Sequence, residues 1–479
     1  MHYTEIAISK PFEGEPKINM ADLFGASANK PIILRLPVTG ERPITYSAKN
    51  LPEGLTLNEN IITGKVPREG EYKVTFIAEN RLGRCEKDVV FEIKENNILL
   101  TPLMGFTSWN AFGPDVTQEK LEKIAQKLVD TGIAEYGYSY VNMDSGWQKE
   151  YGGEYDAIMP SEKFPDMKKM TDTIHALGLK CGIYSTPMLT AWGCPKELKS
   201  IPGCTQGERD IMFADINTGI GKIRKEKNNV KQWTEWGFDY LKYDWKPCDP
   251  YNAKLMKEEL LKSERDFGLC LSTIARPEYV DYWNTVANSY RHNWDSMGYW
   301  ENFMLIYNTY RDFINTMKKG HFFDLDMLDI GTCELEDVRH SFTEDEQIIV
   351  YSLRAFMGSP IQISSTLEEL NEFELSVYCN EEIIAINQDT LFSSARPYYI
   401  CKEGKKNTQI FTRKLSDGND AYVVFNLGEE SDLTKIYLDK KCKIRDVWAK
   451  KDIGETDIIS QRLKPHTVRI FKVYHTSTM

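Results

Sequence analysis

No stretch of this chain approaches the roughly 18 consecutive apolar residues that a membrane-crossing helix needs. The N-terminus, Met1-His-Tyr-Thr-Glu-Ile6, has no basic segment leading into an apolar one. Neither a membrane partner nor a secretion signal is expected, and the expected location is the cytoplasm. The ten cysteines include no C-x-x-C pair, and Cys181 and Cys270 sit inside apolar, strand-like runs. Buried reduced thiols account for them better than a disulfide framework does. The seven histidines are scattered, with neither H-x-x-H nor H-E-x-x-H spacing, so no metal centre or other cofactor is expected. An excess of positive charge is missing too. The net charge of −12 is spread along the chain, which argues against nucleic acid as a partner and suits a neutral substrate.

What the chain does contain is the run Trp236-Gly-Phe-Asp-Tyr-Leu-Lys-Tyr-Asp-Trp245. Gly237 closes an amphipathic helical stretch, and 238–243 has the length and composition of a buried parallel strand. Alternation puts Tyr240, Lys242 and Asp244 on one face, with Leu241 and Tyr243 on the other. A lysine and a carboxylate thus share the C-terminal end of one strand. Either charge alone is costly to bury, so they satisfy each other as a structural ion pair or serve a polar ligand. This segment alone leaves both readings open.

The 479 residues suit about three domains. Residues 1–98 carry short β-prone runs at 31–37, 44–47, 72–78 and 89–94, separated by turn clusters such as Leu51-Pro-Glu-Gly-Leu55, Thr63-Gly64 and Glu69-Gly70. Residues 99–392 alternate strand-like with helical segments. The strand candidates are 104–109, 139–143, 180–185, 238–243, 268–274, 288–292, 321–328 and 360–364. Between them lie helices such as 166–177, with Met167, Met170, Ile174 and Leu177 on one face and Gly178 as its stop. Eight strand–helix units predict a (β/α)8 barrel, whose chemistry lies at the C-terminal strand ends. Residues 393–479 return to β periodicity, which predicts an antiparallel sandwich. The fold class expected is α/β, a barrel flanked by two β-sandwiches.

The 1–98 region resembles the immunoglobulin-like domains appended to bacterial carbohydrate enzymes, through Leu51 to Leu55 and Gly70-Glu-Tyr-Lys-Val-Thr-Phe76. The remainder resembles glycoside hydrolase family 27. The motifs that carry this likeness are Met104-Gly-Phe-Thr-Ser-Trp-Asn110, Val141-Asn-Met-Asp-Ser-Gly-Trp147, Gly178-Leu-Lys-Cys-Gly-Ile-Tyr184, the 236–244 run, Ser289-Tyr-Arg-His-Asn-Trp-Asp295, Asp324-Leu-Asp-Met-Leu328 and Glu382-Ile-Ile-Ala-Ile-Asn-Gln-Asp389. They occur in the family's order.

The resemblance implies a retaining exo-α-glycosidase acting on a carbohydrate, without cofactor, with Asp244 as nucleophile and Asp295 as acid/base. It implies that Asp144, Lys242 and Arg291 bond the sugar hydroxyls, while Trp109, Tyr184 and Met327 line its apolar faces. Two physical expectations accompany these roles: Lys242 keeps Asp244 ionised, and Trp294 shields Asp295 so that it keeps a proton. Asp324 and Asp326 are read as loop supports rather than as a metal pair.

The departures from the family bear on specificity. Ser145 stands where most members have a second aspartate that reads the outer hydroxyls of galactose. Gly146 and Lys246 stand at cysteine positions, and Ala275 is the nearest counterpart of a glutamate beside the sugar's 2-position. Terminal α-galactosides lead as substrate, with an α-N-acetylgalactosaminidase or other variant exo-α-glycosidase as the alternative. Readings of another kind are a non-catalytic carbohydrate-binding barrel and a Schiff-base lyase using Lys242. A charged insertion at 195–230 is expected to form a lid or an oligomer contact, and a homo-oligomer stays open.

Overall fold

Eight parallel strands form the centre of the molecule in the computed structural model, which describes residues 3–191, 201–212, 219–335, 341–400 and 407–475. They are β1 (Met104–Thr107), β2 (Tyr140–Asn142), β3 (Lys180–Ser185), β4 (Tyr240–Asp244), β5 (Gly268–Ser272), β6 (Ser289–Arg291), β7 (Phe322–Asp324) and β8 (Ile361–Ile363). Strands β1 to β7 pair in chain order, β8 pairs with β1, and an isolated bridge from Leu328, beyond β7, to Ile363 of β8 closes the barrel. All eight expected strands are present. The first stops at Thr107 because a short helix, Trp109–Phe112, begins there.

Local chemistry explains why β4 sits where it does. The helix Glu226–Trp236 ends at Gly237, whose φ of +96° lets its N–H turn back onto Trp233 O and Thr234 O. The chain then re-enters the sheet. Leu241 and Tyr243 are fully buried in the apolar layer between strands and helices. Truncating such a side chain typically costs about 2–5 kcal/mol. Tyr240 belongs to a separate cluster with Leu103, Tyr140 and Cys270 that plugs the N-terminal end of the barrel, its ring 5.9 Å from that of Tyr140. Lys242 and Asp244 continue that inward face toward the C-terminal mouth. The helix Met167–Ala176 also follows expectation, with Asp166 accepting from Lys169 N.

The N-terminal region folds as two larger sheets and a two-stranded ribbon, Lys17–Ile18 with Val38–Thr39, around Ile32, Ile62, Val74, Phe76, Val89 and Phe91. One contains Leu23–Ala26, Gly83–Ile93, Gly70–Asn80 and Thr45–Lys49; the other contains Ile32–Arg35, Ile61–Gly64 and Leu55–Asn58. Thr63-Gly64, expected as a turn, lies within a strand. This unit caps the N-terminal end of the barrel, remote from its C-terminal mouth. Arg35 donates to Glu135 at 2.6 Å and to Leu177 O at 3.0 Å, Ser27 N donates to Asp266 at 2.7 Å, and Asn288 donates to Ile98 O at 3.1 Å.

At the other end of the chain, one six-stranded antiparallel sheet runs in the order Arg396–Ile400, Thr408–Lys414, Asp420–Asn426, Thr467–Tyr474, Asp432–Asp446, Lys451–Leu463. Register shifts bend the two long strands, so Ile436 and Ile459 from one side of the sheet share a core with Ile410 and Tyr422 from the other. The expected antiparallel sandwich is present, built from one sheet curled so that its two ends face each other. The 195–230 insertion lies partly outside the described residues. Its described part forms a hairpin, Thr205–Met212 against Gly219–Arg224, and the first turn of the helix that precedes β4. No described helix is long and apolar enough to cross a membrane.

Candidate active site

At the C-terminal ends of the strands lies a cavity of about 300 Å³ lined by Trp109, Asp144, Ser145, Tyr184, Lys242, Asp244, Lys246, Thr273, Trp294 and Asp295. Seven of the nine residues expected at the site line it. They come from β1, β2, β3, β4 and β6 or the turns just after them, which is how a barrel converges distant sequence onto one point. Arg291 lies behind Asp295 and donates to its Oδ1 at 2.8 Å. Met327 is buried, 1% exposed, and is not among the lining residues. The backbone explains this: Arg354 Nη2 draws in the carbonyls of Leu325 and Met327 at 2.9 and 2.7 Å, and the intervening Asp326 takes a φ of +67°.

The charges pair differently from expectation. Lys242 Nζ donates to Asp144 Oδ2 at 2.7 Å, not to Asp244 on its own strand. Burial depresses the ammonium, but the Asp144 carboxylate outweighs that and holds it above its ordinary value. Asp244 accepts from Tyr184 OH at 3.0 Å and from Thr273 Oγ1 at 3.3 Å. Burial pushes its carboxyl up to about 6, over the opposing pull of Lys242 and Arg291. The expectation that Lys242 keeps Asp244 at an ordinary carboxylate value is thus corrected.

Asp295 goes the other way. Burial raises it, yet Arg291 first and then Lys242 and Lys246 outweigh burial and lower it. Trp294 cannot shield it, because that side chain is 61% exposed at the rim, with Lys246 Nζ 4.0 Å from its ring centre. The opposed shifts favour the proton on Asp244 over Asp295.

Behind the cavity, Arg291 is pinned by Asp326 Oδ2 at 2.5 Å, and Asp326 accepts from Ser296 N at 2.7 Å. Asp324 accepts from Asp326 N at 2.8 Å, so the two aspartates support the loop and the arginine. Among the described residues no cluster of three His, Cys, Asp or Glu could hold a metal ion.

Residues 101–216 and 210–389 match the family described as Alpha galactosidase A, and residues 405–473 match the Alpha galactosidase C-terminal beta sandwich domain. The chain belongs to the alpha-galactosidase family. This is the glycoside hydrolase family 27 resemblance seen in the motifs, and the protein is a glycoside hydrolase. The chain is 26% identical over 418 residues to Alpha-galactosidase A of Cellvibrio japonicus, covering 79% of this chain and 93% of that one. It is 25% identical over 378 residues to Alpha-galactosidase 2 of Arabidopsis thaliana, covering 77% and 84%. A candidate alpha-galactosidase from Bacteroides fragilis superposes with a TM-score of 0.86 at 26% identity, covering 98% of this chain and 100% of its own.

Three lining residues of this alpha-galactosidase-family site escaped the sequence reading as sugar contacts: Thr273, Lys246 and Trp294. Thr273 follows the last residue of β5, and strand-end position was the available signal. Ala275, offered as the residue beside the sugar's 2-position, is fully buried, with its N–H on Arg291 O at 2.8 Å. A small residue in the glutamate's place would leave room for a 2-substituent, but Ala275 is not among the residues lining the cavity. Gly146 has φ +109°, and a Cβ there would lie 2.8 Å from Pro114 O, so a cysteine does not fit that turn. The eight described cysteines are free.

Proposed function

We propose that this chain is a retaining exo-α-glycosidase that hydrolyses terminal α-D-galactosyl residues by double displacement. The observation that carries it is the convergence of Asp244 and Asp295 on one monosaccharide-sized cavity that also holds the Lys242–Asp144 pair. In this reading the Asp244 carboxylate attacks the anomeric carbon while Asp295 gives its proton to the departing oxygen. Asp295 then takes a proton from water, which cleaves the glycosyl ester and frees Asp244. Asp144 and Lys242 present an acceptor and a donor to adjacent hydroxyls, Trp109 and Tyr184 cover the ring, and Arg291 fixes the acid. Because Lys242 stays an ammonium beside Asp144, a Schiff-base role is disfavoured.

Ser145 favours one second reading, a variant exo-α-glycosidase whose sugar differs at its outer carbons. The acetamido alternative loses its support with Ala275 out of the cavity. A panel of 4-nitrophenyl α- and β-glycosides separates these readings. Hydrolysis of the α-galactoside above all others supports the proposal, and a strong preference for another α-glycoside replaces the sugar while keeping the mechanism. Activity on β-glycosides alone refutes both.

The organisation proposed with this function is an immunoglobulin-like unit at 1–98, the catalytic barrel at 99–392 and the C-terminal sandwich at 393–479. The free thiols support a reducing, cytoplasmic setting for it.

A further inference from the structure

Thr273 stands at a junction that the two-carboxylate scheme does not use. Its hydroxyl accepts from Arg291 Nη2, lies 3.1 Å from Ser272 Oγ, and reaches Asp244 Oδ1 at 3.3 Å. The same Nη2 donates to Asp295 Oδ1 at 2.8 Å. A guanidinium only donates, so the hydroxyl must accept from it, and its single proton is left to point outward. Arg291 cannot swing away, because its Nη1 is held on Asp326. Tyr184 OH meanwhile donates to the other oxygen of Asp244 at 3.0 Å, so each carboxylate oxygen has one donor and the plane of the group is set from both sides.

We infer that Thr273 is a positioning residue that ties the nucleophile to the acid/base: its hydroxyl relays the charge of Arg291 to Asp244 Oδ1 while the same guanidinium holds Asp295. The inference rests on the assignment of Asp244 as nucleophile. The hydroxyl stabilises the ionised carboxylate and fixes its line of attack. Removing it should slow formation of the glycosyl-enzyme and move the ionisation of Asp244 further up, whereas a merely structural residue would change neither selectively.

The test compares Thr273→Val, which keeps the shape and removes the hydroxyl, with Thr273→Ser, which keeps the hydroxyl. On 4-nitrophenyl α-D-galactoside, Thr273→Val is expected to lower kcat about tenfold or more with little change in KM. On α-galactosyl fluoride, which needs no acid, it should shift the acid limb of kcat/KM to higher pH. Thr273→Ser should recover most of the rate and the parent's acid limb. In an Asp244→Gly background rescued by azide, adding Thr273→Val should cost less than about twofold, because the partner of the hydroxyl is gone. Equal damage from Val and Ser, or a full loss that persists in the azide-rescued background, overturns the inference and leaves Asp244 as nucleophile intact. Parent-like turnover of Asp244→Gly without azide overturns the nucleophile assignment and the inference with it.

Discussion

The opposite shifts of the two carboxylates make a sharp prediction about pH. Asp244 is carried to about 6 by burial, while Arg291, Lys242 and Lys246 hold Asp295 below an ordinary aspartate. When the pair holds one proton, that proton therefore sits mostly on Asp244, which is the wrong carboxylate for catalysis. Because the two shifts run in opposite directions, the singly protonated pair holds its proton in the productive arrangement only as a minor form. Above about pH 6 the pair is fully ionised, and productive free enzyme falls tenfold per unit.

For an alkyl or sugar leaving group, which needs Asp295 protonated, kcat/KM should decline from about pH 6 upward. For α-galactosyl fluoride, which departs without a proton and needs only ionised Asp244, kcat/KM should rise through about pH 6 and then level. The two substrates should diverge by about a hundredfold between pH 6 and 8. The assay is initial rates at low substrate for both compounds across pH 4.5–8.5. Superimposable bells with alkaline limbs at pH 8 or above would refute the reasoning.

Three further expectations follow from the same geometry. Asp295→Ala should damage substrates with poor leaving groups far more than the fluoride, and equal losses on both would point to another acid. Asp244→Asn should stabilise the fold at pH 7. A carboxyl raised from 3.8 to about 6 contributes stability below pH 4 that is lost as pH rises through 6, a difference of about 3 kcal/mol that the amide avoids. Melting temperatures of parent and variant should separate at pH 7.5 and converge near pH 4, and a parent more stable at both would contradict the burial account. Ser145→Asp should raise kcat/KM on the α-galactoside if the residue reads an outer hydroxyl, since a carboxylate is the stronger acceptor; a loss on every sugar would mean the added charge disturbs Asp144 instead.

Much of this architecture was legible before any coordinates because it depends on period and punctuation. Strand alternation alone places Lys242 and Asp244 on one inward face, and Gly237 and Gly178 mark helix ends through their left-handed backbone. What was not legible depends on contacts across long separations. The partner of Lys242 is Asp144, 98 residues away in sequence, and only the adjacency of β2, β3 and β4 brings the two together. The direction of the Asp244 shift is a contest between burial and neighbouring cations, and spacing reports the cations but not the burial. Met327 was misplaced because the backbone at Asp326 leaves regular strand geometry just before it. Trp294 reads as apolar shielding in sequence, yet stands on the rim in space.

The central claim, that Asp244 forms a covalent bond to the sugar, is tested most directly by trapping it. The enzyme would be incubated with a slow, fluorine-substituted α-galactosyl donor carrying an activated leaving group, digested, and the labelled peptide sequenced by mass spectrometry. The account predicts one sugar mass added to the peptide containing Tyr240-Leu-Lys-Tyr-Asp244, on Asp244. A label on Asp295 or on any residue outside that strand would contradict it.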